Sequence, residues 1–131
     1  MLHGGQVPAI QKSTKAKSQE FQRLVDKVNT EDIQAVYHLL EKKGYGLLLY
    51  CIENPEKLKT GDGSGWWIAD TIASYAPTRV VKLLLDTAKA NDEIKNIIYE
   101  NHDLEGGITV NTFQLAIATL RNREEDIAPY L

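Results

Sequence analysis

Gly65-Trp66-Trp67-Ile68-Ala69-Asp70-Thr71-Ile72-Ala73-Ser74-Tyr75-Ala76-Pro77-Thr78-Arg79-Val80-Val81-Lys82-Leu83-Leu84-Leu85 carries two apolar runs separated by a proline. Ile68 to Tyr75 reads as one helix. Pro77 sits where a first-turn proline is tolerated, and Val80, Val81, Leu83, Leu84 and Leu85 carry a second helix. A third runs from about Asp92 to Glu100, with Ile94, Ile97 and Ile98 facing inward at helical spacing.

Shifting the chain against itself by 47 residues extends this pattern in both directions without a gap. Phe21, Ile68 and Leu115 superpose, as do Ile33, Val36 and Tyr37 on Val80, Leu83 and Leu84, then on Ile127, Tyr130 and Leu131. Glu53-Asn54 falls on Glu100-Asn101, and Leu47, Tyr50 and Cys51 fall on Ile94, Ile97 and Ile98. In the first copy, Phe21, Leu24, Val25 and Val28 form one helical face. A second helix is expected to start at the N-cap Thr30, to bury Ile33, Val36, Tyr37 and Leu40, and to close at Lys42-Lys43-Gly44. A shorter third spans Leu47 to Glu53 and stops before Pro55. In the third copy Pro129 falls where the pattern wants a helix interior, which predicts a short, irregular or late-starting last helix. Ile108 to Val110 hints at a short extended segment.

The expected fold is all-α, a stack of about eight helices in one domain over residues 18–131. Its units are 18–64, 65–111 and a partial 112–131, with residues 1–17 as a flexible N-terminal arm poor in apolar residues.

Composition narrows the function classes. With 43% hydrophobic and 25% charged residues the chain is ordinary for a globular protein. A net charge of -3 argues against nucleic acid as a partner. No apolar run approaches the roughly 20 residues that span a bilayer, so no membrane partner is expected. The single cysteine excludes an intramolecular disulfide and fits, weakly, a reducing, cytoplasmic setting.

The stretch Gly65 to Ala73, followed by Val80-Val81-Lys82-Leu83-Leu84, resembles a degenerate ankyrin repeat; Asn111-Thr112-Phe113-Gln114-Leu115-Ala116 is a looser match. The Thr-Pro-Leu-His start is replaced by Trp67-Ile68-Ala69-Asp70, and the 47-residue period is nearer to armadillo length. The resemblance implies a protein-binding scaffold of the kind found in adaptors and bacterial effectors, where the host cytosol becomes a possible location. It implies no catalytic residues.

Candidate contacts follow from the register. Trp67 aligns with Glu20 and Gln114, so it is expected to face solvent and touch a partner; the alternative has the Gly-rich loop folding over its ring. Trp66 aligns with Gln19 and Phe113 and reads as core or cap. Tyr45 aligns with Asp92 and reads as exposed, while Tyr99 aligns with Ile52 and reads as partly buried. The loop Thr60-Gly61-Asp62-Gly63-Ser64-Gly65 contributes Asp62 and Ser64 to the same binding face. Its glycines could cradle a phosphate, but no P-loop ending follows; a calcium loop would need Gly at Trp67 and Glu at Ala73. A flexible turn is the plainer reading. Cys51 aligns with the core position Ile98, so an inert thiol is expected rather than a nucleophile, and His3, His38 and His102 lack ligand spacing. Glu124-Glu125-Asp126 reads as a solvated helix cap before a binding patch.

The expected function is therefore recognition of another protein by a non-enzyme without cofactor or metal. The alternatives are an inhibitor of one particular enzyme and a weak nucleotide or phosphate site at residues 61–65. Oligomeric state is left open.

Overall fold

The computed structural model describes the backbone of residues 2–61 and 63–131, and within these the side chains from residue 15 onward. It is mostly helical: α1 (Leu2–Asn29), α2 (Ile33–Glu53), α3 (Ile68–Tyr75), α4 (Thr78–Ala90), α5 (Asp92–Tyr99) and α6 (Thr112–Asn122). Short 3-10 turns at Pro55–Lys59 and Ala128–Tyr130 and a hairpin of β1 (His102–Asp103) and β2 (Thr109–Val110) complete it. The hairpin is antiparallel, with His102 opposite Val110 and Asp103 opposite Thr109.

The α1 backbone is helical from Leu2, through most of the segment expected as an arm. Ala9, Gln11, Lys12, Lys15, Ala16 and Lys17 are good helix formers, which composition read for burial alone overlooks. Among the described residues, packing begins only at Phe21, followed by Leu24 and Val25.

Thr30 does not cap α2. Its hydroxyl donates back to the Asp26 and Lys27 carbonyls, so it closes α1. The turn is a Schellman motif: Asp32 N–H bonds Lys27 O, Glu31 N–H bonds Val28 O, and Glu31 takes φ 57. Asp32 then serves as N-cap of α2, accepting from Ala35 N–H at 3.2 Å. The end of α6 repeats the device, with Glu124 at φ 61 and Glu125 N–H on Leu120 O.

The expected stop at Gly44 is overridden, and two expected helices are one. Val36, Leu40, Gly44, Leu47, Leu48 and Cys51 form a continuous buried stripe, so burial holds α2 helical through Gly44. A Cβ on Gly44 would lie 3.4 Å from Val80 Cγ2, and the bare backbone lets α2 and α4 approach. Ile33 and Tyr37 are exposed instead of core: they lie on the same face of α2 as that stripe, but at its first turns, where they are left uncovered beside a groove.

α3 is the centre of the packing, with Ile68, Ala69, Asp70, Thr71, Ile72 and Ala73 all buried between α2, α4 and α6. Arg123 Nη1 donates to Ala76 O at 2.8 Å, satisfying a carbonyl at the end of α3, and to Thr78 Oγ1 at 3.1 Å. Lys82 and Glu125 meet at 2.6 Å, which raises the Lys82 pKa. Pro129 lies in the closing 3-10 turn, the short irregular ending that its ring requires.

Gly65, at φ +92, passes so close to the hairpin that a Cβ would collide with the Asp103 carbonyl oxygen. Gly63 has φ +94 but open space around it. Gly65→Ala is therefore expected to cost about 3 kcal/mol or more in a urea melt, and Gly63→Ala only the backbone strain of about 1–2 kcal/mol. Equal losses would mean that the loop does not seat on the hairpin.

Candidate interaction surface

The exposed residues at the start of α2 form one wall of a groove of about 430 Å³. Val28, Val36, Tyr75, Trp66 and Leu104 give it an apolar lining, to which Ile33, 42% exposed, adds. Tyr37 extends the apolar surface through an edge-on contact with Tyr75 at 5.0 Å between ring centroids. Trp66 is held by its indole N–H, which donates to Thr71 Oγ1 at 2.9 Å. Glu31, Glu105, Ser64 and Thr71 supply the polar part of the lining. Both glutamates are exposed, and among the described residues neither forms an ion pair.

The groove wall is fixed from behind by a buried polar cluster. Asp70 is fully buried. Its Oδ2 accepts from Trp67 N–H at 2.9 Å and His102 Nε2 at 2.7 Å, and its Oδ1 accepts from Thr112 Oγ1 at 2.7 Å. The other ring nitrogen of His102 faces the Glu100 carbonyl at 3.2 Å. Both ring nitrogens of His102 are thus engaged, and the Asp70–His102 pair braces α3 against the hairpin. The loop completes the brace: Glu105 N–H donates to Ser64 O at 2.9 Å, and Trp66 N–H to Ser64 Oγ at 3.3 Å.

The two tryptophans take different places from those expected. Trp67 is half-buried: its ring stacks on His102 at 3.7 Å, packs against the core, and carries Lys59 Nζ 5.2 Å from its centroid. Lys59 in turn pairs with Glu100 at 3.0 Å. Trp66, expected as core or cap, lines the groove. The 47-residue register fails here because α6 starts earlier than its counterpart: the caps Trp67 and Asn111 lie 111 − 67 = 44 residues apart. Aligning Trp67 with Gln114 thus compares a cap with a helix interior.

Ser64 lines the groove, whereas Tyr45, 55% exposed on α2, does not. Asp62 lies outside the described residues. Leu115, aligned with the core residues Phe21 and Ile68, is only partly buried, and Tyr99 is exposed. The Asp70–His102–Thr112 cluster escaped the sequence reading. One signal for it exists, an acid three residues after the cap, as in half of a capping box.

Cys51 lies in the core on α2. Burial pushes its thiol from the ordinary 9.0 up to about 12, with Lys57 lowering and Glu56 raising it to smaller extents.

No protein-family model, no curated protein and no solved structure matches this chain.

Two outcomes follow from this geometry. Trp67→Ala should cost about 3 kcal/mol in denaturant melts, near the low end for a packed aromatic. Trp66→Ala should cost clearly less, because its ring borders open space; the opposite ordering would refute the stacking arrangement. The folded-state thiol of Cys51 titrates above its unfolded value, so it contributes stability at neutral pH. That contribution is lost as pH rises from about 9 toward 12, where only the unfolded chain ionises readily. Stability measured against a Cys51→Ala variant should show this excess decline; parallel curves would place the thiol in contact with water.

Proposed function

We propose that the chain is a protein-interaction module, a helical-repeat stack of ankyrin-like or armadillo-like kind that binds a partner protein through the groove between α2, the 64–66 loop and the hairpin. The observation that carries this reading is the groove itself. It is an apolar surface with Ile33 and Tyr37 exposed and Trp66 held in its wall, on a chain whose core is otherwise well covered. Partner contact then falls to Trp66 and Ser64, with Trp67 supporting them from behind.

Helix ends support the repeat reading. The first helix of each unit closes at Asn29, Tyr75 and Asn122, spacings of 75 − 29 = 46 and 122 − 75 = 47. Phe21, Leu24 and Val25 are buried at the positions equivalent to Ile68, Thr71 and Ile72. The shared Schellman ending of α1 and α6 adds to this.

Ile33→Glu tests the site with little risk to folding, because the residue is exposed and opens a helix, where a carboxylate is favourable. A partner retained by the wild-type chain should bind this variant more weakly by about 2 kcal/mol or more, with the melting temperature nearly unchanged. Undiminished binding would remove the groove as the recognition surface.

A further inference from the structure

We propose that the segment seated in this groove is an apolar stretch flanked by Lys or Arg; this rests on the interaction reading above and names the class of partner. Most of the lining is apolar, from Val28, Ile33, Val36, Trp66, Tyr75 and Leu104, and so suits an apolar segment. Among the described residues, the charged side chains of the lining are Glu31, from the α1–α2 turn, and Glu105, from the hairpin turn. Neither is neutralised by a neighbour among the described residues, and the chain's net charge of -3 adds to the same field. A partner lying over the groove strips water from both carboxylates. Only cationic groups placed opposite them offset that desolvation, whereas an acidic partner meets repulsion on both sides. Complementary charge at such a rim acts on encounter rate and partner choice, while the apolar anchors supply most of the affinity.

Glu31 also makes the idea testable without harm to the fold. It occupies the left-handed position of the Schellman turn, where glycine is the residue with least strain, so Glu31→Gly removes the charge while easing the backbone. The experiment is a selection from a displayed library of random peptides on the wild-type chain, with counter-selection on Ile33→Glu so that only groove-dependent peptides survive. The expected survivors carry large apolar residues flanked by Lys or Arg. Synthesised, they should bind the Glu31→Gly/Glu105→Gln double variant about tenfold more weakly, two exposed ion pairs being lost, and should weaken as salt is raised. Groove-dependent survivors that are neutral or acidic, or that bind the double variant equally well, would overturn the charge assignment and leave the interaction reading standing. No groove-dependent survivors at all would overturn both. A wild-type dimer in sedimentation that Ile33→Glu renders monomeric would assign the groove to a second copy of the chain, again against the proposal.

Discussion

A carboxylate sealed in the middle of the molecule sets the terms for the rest of the fold. Asp70 sits on the most buried helix, and an ionised carboxyl without partners there is prohibitively unfavourable. Its partners come from three separate places: the loop before α3, the first strand of the hairpin, and the first residue of α6. Each must arrive in one position for the charge to be covered, so one side chain fixes the relative placement of α3, the hairpin and α6. The hairpin so placed carries Leu104 and Glu105 to the groove, and the loop packed on it carries Ser64 and Trp66. The surface feature is the outer side of the buried one.

Sequence periodicity was informative where a helix is bounded by hard stops. Pro55 and Pro77, and the apolar stripes of α3, α4 and α5, place those elements closely. The buried state of Cys51 also followed from its register. Where boundaries depend on soft signals the reading failed. Gly44 looks like a helix end, yet the burial stripe crosses it, and packing outweighs the roughly 1 kcal/mol propensity cost of a glycine. Thr30 has the right chemistry for a cap, but Asp32, two residues later, has it too and takes the role.

The tryptophan assignment failed for a different reason. A single repeat offset assumes that every unit has the same helix lengths, and α6 begins earlier than that offset allows. The apolar pattern tolerates such a slip because neighbouring residues in a buried helix are all covered. Side-chain exposure does not tolerate it. The groove was hidden for the same reason: Ile33 and Tyr37 occupy positions whose counterparts Val80 and Leu84 are fully buried, and only the packing of α1 and α2 leaves them uncovered.

The cluster around Asp70 also bears on the order in which the chain organises itself. α1 with α2, and α4 with α5, are neighbours along the sequence and close short loops. Asp70 joins His102 and Thr112 across separations of 32 and 42 residues, and desolvating it is unfavourable until all of its donors are present. Helical pairs with local contacts form early, whereas contacts that demand distant partners and full satisfaction complete late. Interactions made after the rate-limiting step act on the rate of unfolding and hardly on that of folding. The buried carboxylate is in this sense a latch: it does little to guide the chain to its structure and much to slow its departure.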